Sequence, residues 1–140
     1  MIRAWPILLL AFIPARYAWV DAQTVKTSIY LGSVTLSASR FVRRDQNYAA
    51  DYTASVFPYF FLNESGQLFI EVPEADLRRL DQGRAIDFRG RAVRRDGRVR
   101  AVTGRVTPTS GTTGQLKVRI IVNHYLTLVF DSTYQLPHSQ

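Results

Sequence analysis

Apolar residues in this chain recur mostly at every second position. Between Tyr48 and Val56 the even positions are Tyr48, Ala50, Tyr52, Ala54 and Val56, with Ala49, Asp51, Thr53 and Ser55 between them. A period of two sends alternate side chains to opposite faces, so the stretch reads as a strand with one buried face. Phe57–Leu62 is apolar on both faces, and Gln67–Val72 continues the pattern after Asn63-Glu64-Ser65-Gly66. Those four residues suit a turn, with Asn in the first position and Gly66 in the left-handed conformation that closes a three-residue loop. That loop pairs Leu62 with Leu68, Phe60 with Ile70 and Pro58 with Val72, because a two-residue or four-residue loop slips the register and faces Leu62 toward a polar partner. Pro58 lacks a ladder donor and marks an edge or a bulge.

The same reading extends along the chain. Thr27–Val42 is the first strand region, with its apolar face switching at Gly32-Ser33, and Arg43–Asn47 is a polar turn. Arg84–Thr107 is a hairpin turning at Asp96-Gly97, a strong turn dipeptide. Thr107–Gly114 is a Thr, Ser, Gly and Pro loop. Gln115–Leu136 is the last hairpin, and matching its apolar sets requires a three-residue loop at Asn123-His124-Tyr125. One helix is expected, over about 73–82. Pro73 suits its first position, Glu74 and Asp76 its first turn, Arg78 and Arg79 its end, and Gly83 its termination. Leu77 and Leu80 form its inward face, placing it as a plug at one end of a sheet. The fold class that follows is all-β: an antiparallel barrel or sandwich of about six to seven strands with one short helix. The pattern leaves barrel and sandwich both open.

The first residues change the picture. Arg3, the apolar run Ile7–Ile13 and the Val20-Asp21-Ala22 triplet together have the make-up of a secretory signal peptide. Residues 1–22 are therefore expected to be a leader, 23–136 a single β domain and 137–140 a disordered tail. The run is far shorter than the roughly 20 residues of a membrane-spanning helix, so no transmembrane span is expected. The expected location is the periplasm or the cell exterior. The chain has no cysteine, which removes disulfides and thiolate metal sites.

The formal net charge is +7, and sixteen of the eighteen basic residues are arginine. Half of them crowd the hairpin around Asp96-Gly97. With a two-residue turn, Arg89, Arg91, Arg95, Arg98 and Arg100 share a face, and a three-residue turn mixes the faces. In both registers Arg94, Arg95 and Arg98 crowd the tip, where like charges repel. Long charged side chains on an exposed strand block edge-to-edge pairing. They also suit phosphate and carboxylate, since the guanidinium fork binds both. Arg89, Arg91, Arg94, Arg95, Arg98 and Arg100 are accordingly the candidate contacts to an anionic envelope surface. An export leader argues against nucleic acid.

Catalytic chemistry finds little support. His124 sits in a hairpin turn and His138 in the tail, with no nucleophile-elbow sequence to pair with either. Asp51, Glu71, Asp87 and Asp131 are single acids on expected outward faces, and no phosphate-binding loop or metal-ligand spacing occurs. The reading is non-catalytic, without metal or cofactor. The aromatic run Phe57, Tyr59, Phe60 and Phe61 either fills the core or lines a cavity for an apolar ligand. Phe88–Gly97 followed by Val102–Pro108 is loosely similar to the exported YceI-like lipocalin-type barrels, which bind long isoprenoid chains; no functional residue is carried over. The function expected is a binding or carrier module for an apolar or amphipathic ligand. The alternative is an interaction domain that docks an anionic envelope partner through the arginine hairpin.

Overall fold

A computed structural model of the protein describes residues 17–29 and 31–137. Its strands are β1 (Trp19–Ala22), β2 (Val25–Ile29), β3 (Gly32–Ala38), β4 (Phe41–Arg44), β5 (Asn47–Phe57), β6 (Glu64–Glu71), β7 (Ile86–Arg94), β8 (Val99–Pro108), β9 (Thr113–Asn123) and β10 (Leu126–Gln135); one helix, α1 (Glu74–Asp81), joins β6 to β7. All pairings are antiparallel. β5 through β10, then β1 and β4, close into an eight-stranded barrel. β2 and β3 are two further strands: β3 pairs with the second half of β5, and β2 pairs only with β3.

A closed antiparallel barrel has two mouths. The β4–β5, β6–β7 and β8–β9 connections gather at one, which α1 covers; this is the helical end. The β2–β3, β5–β6, β7–β8 and β9–β10 connections gather at the other, the loop end. The even positions of β5 face inward as the alternation requires, with Tyr48, Ala50, Tyr52 and Val56 all buried. Phe88 lies directly opposite Gly104 in the wall. A Cβ on Gly104 would stand 2.3 Å from the Phe88 ring, so only glycine leaves the ring room to lie flat against the sheet.

Several local expectations are corrected. The β5–β6 hairpin pairs Tyr48 with Ile70, Ala50 with Leu68 and Ala54 with Glu64, not Leu62 with Leu68. β5 ends at Phe57 because Pro58 cannot donate to a ladder. The connection then makes a 3-10 turn over Phe60–Leu62. It is closed by Asn63, whose Oδ1 accepts the Val56 N–H at 2.7 Å. Gly66 therefore lies within β6 and not in a turn. At the arginine hairpin, Val93 pairs with Val99 and Ala92 with Arg100, so the loop has three residues and closes on Gly97 at φ +90°. The last hairpin keeps the expected apolar matching, Phe130 opposite Val118, through a tighter turn and a bulge at Leu126/Thr127. α1 buries Leu77 and packs Leu80 on the core.

The described residues begin upstream of the expected domain start at residue 23. Residues 1–16 of the expected leader lie outside the described residues, as do 138–140 of the expected tail. Tyr17 is buried, and β1 bridges β4 to β10 through Trp19↔Val42 and Asp21↔Gln135. Arg40 holds the strand from outside: it donates from Nε and Nη2 to the two Asp21 carboxylate oxygens at 2.9 and 3.0 Å. Its guanidinium also stacks 3.7 Å over the Trp19 ring. A boundary at Ala22 would detach the strand that closes the barrel.

Candidate functional site

The lumen divides into tiers. At the helical end lies a partly open, almost wholly apolar cavity of about 120 Å³. Val20, Leu36, Leu68, Val118 and Tyr134 form part of its wall, and Leu77 and Leu80 of α1 form its floor. These residues are there because the strands' inward sets reach the helical end with aliphatic and aromatic side chains, while α1 offers two leucines three apart. The polar groups at its edge, Gln23 and Ser132, satisfy each other across the β1–β10 seam, with Ser132 Oγ donating to the Gln23 carbonyl at 2.8 Å. Tyr48 Oη donates to the Tyr17 carbonyl at 2.7 Å and ties residue 17 to the barrel floor. Burial pushes the Tyr134 hydroxyl above its ordinary range.

Beyond the cavity the lumen is filled. Phe130 has no solvent exposure, and Val102 and Ala92 have 1% each. Above them sits a polar tier. Glu64 accepts two hydrogen bonds from Arg100, Nη2 to Oε1 at 2.9 Å and Nε to Oε2 at 3.2 Å, and a third from Tyr52 Oη at 2.8 Å. Arg94 Nε approaches the same carboxylate at 3.8 Å. Burial alone would raise the Glu64 pKa, but the hydrogen bonds from Arg100 and Tyr52 outweigh it and hold the group below the usual carboxylate range. Burial and the bond to Glu64 push the Tyr52 hydroxyl far above its ordinary value.

The candidate anion contacts therefore separate. Arg94 and Arg100 turn inward to Glu64. Arg89 and Arg91 face outward on β7, and the Arg91 guanidinium lies 4.7 Å over the Phe69 ring. Arg95 and Arg98 remain at the loop-end tip. Asp96 accepts the Arg98 N–H at 3.1 Å, and that backbone bond lowers its pKa first, with Arg94 and Arg98 adding to it. The candidate cavity lining separates too. Phe57, Phe60 and Phe61 are exposed at the loop end, outside the lumen. Tyr59 is half-buried and, with Ile29, Leu62 and Leu126, lines a shallow groove between β2 and β10. The aromatic run does not line the apolar cavity because the chain leaves the barrel at Pro58.

Asp51, Glu71, Asp87 and Asp131 are exposed on the outer faces of separate strands. Asp87 bridges Arg105 at 2.8 Å and Asp131 bridges Lys117 at 3.7 Å. His124 packs edge-on against Tyr125 in an exposed turn, and His138 lies outside the described residues. Among the described residues no group of three or more His, Asp or Glu converges. No described helix is long and apolar enough to cross a membrane. Sequence reasoning missed three features: Glu64 as the anchor of an internal network, Arg43, and Leu31 and Tyr125 at the loop end. The terminal nitrogens of Arg43 are buried without a hydrogen-bond partner, and its guanidinium lies 5.1 Å over the Tyr48 ring. The Glu64–Arg100 pairing was within reach of the sequence: a three-residue arginine turn puts Arg100 on the inward phase, and alternation with Leu68 and Ile70 does the same for Glu64. No protein-family model matches the chain, and neither a curated protein nor a solved structure does, so its short similarity to YceI-like barrels gains no support from them.

Proposed function

We propose that the protein is an exported, non-catalytic binding module that holds a small apolar molecule, or the apolar end of an amphipathic one, at the helical end of its barrel. The partly open, apolar cavity of about 120 Å³ supports this reading. An eight-stranded barrel has just room to be filled by its own side chains or to hold one small ligand. Here the middle tier is filled and the tier below it is not. An apolar void of about 150 Å³ stays dry and takes up benzene or xenon, so this cavity is of the right order for a single ring or a short branched chain. On this reading the export leader ends upstream of β1, and the pairing of β1 in the barrel wall supports that boundary; N-terminal sequencing of the secreted protein checks this, and a mature end after Ala22 would overturn it.

The binding itself is tested by titrating benzene while following methyl resonances of Leu77 and Val118. Saturable shifts at both are expected. Ala38→Leu, which projects into the void, is expected to weaken uptake at least about tenfold by filling it. Unshifted methyls at saturating benzene would end the proposal.

A further inference from the structure

We infer that the loop end is a docking face for an anionic lipid surface. Its apolar side chains stand at the tips of three connections. Leu31 is 70% exposed between β2 and β3, Phe60 and Phe61 are 66% and 83% exposed between β5 and β6, and Tyr125 is 97% exposed between β9 and β10. The fourth connection at this mouth carries Arg95 and Arg98. The sheet brings these loops together: Ser33, two residues past Leu31, pairs with Phe57, and the Arg95 N–H donates to the Ser65 carbonyl at 3.1 Å. The lumen behind them is filled by Phe130 and the Glu64 network, so these side chains are surplus to the core.

Their chemistry selects the partner. Large apolar residues avoid water when a burial site exists, and a patch of this kind marks an interaction surface. A protein partner offers a packed, continuous core. Separate apolar prongs on individual loops fit lipid better, because acyl chains and headgroups fill the spaces between them. Aromatic rings settle at headgroup level in a bilayer, and guanidinium forks bind phosphate. The local charge agrees. Arg94, Arg95, Arg98 and Arg100 face only Glu64 and Asp96 here, four positive against two negative. Glu64 is paired with Arg100 inside the barrel, and Arg95 and Arg98 are left facing outward beside Asp96, whose carboxylate accepts the Arg98 backbone N–H.

The chain has no cysteine, which makes single-site labelling of the full chain unambiguous. Phe61→Cys, Tyr125→Cys and, at the helical end, Ser110→Cys each carry an environment-sensitive fluorophore. Phosphatidylcholine vesicles with phosphatidylglycerol are expected to shift the emission at positions 61 and 125 to the blue and to leave position 110 unchanged. Arg95→Ser and Arg98→Ser should each weaken vesicle binding about fivefold. Phe60→Ser with Phe61→Ser should weaken it at least about tenfold, with the thermal transition retained. An equal shift at all three positions, no shift at 61 and 125, or rim variants that bind like the parent would each overturn the inference. A vesicle-independent shift at position 61 that grows with protein concentration would also overturn it, and would assign the face to a second copy of this chain.

Discussion

The two ends of the barrel solve opposite problems. At the helical end the mouth is covered and the inside is empty: α1 lays Leu77 and Leu80 against a partly open apolar void. At the loop end the inside is full and the surface is apolar: Phe130 and the Glu64–Arg100–Tyr52 tier occupy the lumen, while Leu31, Phe61 and Tyr125 face water. Interior capacity and surface adhesion thus occupy separate ends, with a solid tier between them. A molecule taken up at the helical end would not pass through the loop-end mouth. The cavity and the rim can therefore be perturbed one at a time.

Removing the dividing tier should have the largest effect. Phe130→Ala deletes a fully buried ring and is expected to cost about 3–5 kcal/mol, read from urea unfolding. It should also extend the cavity upward, so that larger apolar probes bind; a variant that kept the parent's probe range would refute the division into tiers. Next comes the floor. Leu77→Ala is expected to cost about 2–3 kcal/mol and to speed exchange of a bound apolar probe, measured by NMR line shape, without touching vesicle binding.

Glu64→Gln comes third, at about 2 kcal/mol near neutral pH, since it breaks hydrogen bonds to a charged acceptor. The Glu64 carboxyl titrates below its unfolded value, so its contribution is present above that unfolded value and is lost as pH falls through the folded pKa. The parent should therefore lose more stability on acidification than the variant, and parallel stability-versus-pH curves would argue against the network. Smallest of all, Phe61→Ser should move stability by no more than about 0.5 kcal/mol. If it unfolded the protein instead, the rim would be core and the contrast between the ends would fail.

Much of the barrel was readable from alternation alone. The inward face of β5, the phase of β9 against β10, and the paired leucines of α1 follow from side-chain period and need no tertiary information. The β5–β6 register was not readable. Phe57–Leu62 has the composition of a strand, and what takes it out of the sheet is Pro58 together with a side-chain bond from Asn63 back to Val56, a contact the pattern does not reveal. Residues 19–22 were hidden for another reason: a short mixed stretch such as Trp19-Val20-Asp21-Ala22 behind an apolar run has the same composition whether it closes a barrel or precedes a cleavage site. The arginine hairpin was legible as a charged tip. Its division into two inward and several outward arginines depended on one residue of loop length.

The closing contact sets a schedule for folding. Asp21 meets Gln135 across the β1–β10 pairing, so the first described strand must wait for the last. The β5-to-β10 meander assembles from neighbours along the chain, whereas closure must bring together segments separated by nearly the whole domain, the kind of contact that slows folding most. Until the final strand is made, β1 and its Trp19 remain beside an unsealed ribbon edge. A cell making this protein must keep that edge from joining another copy's.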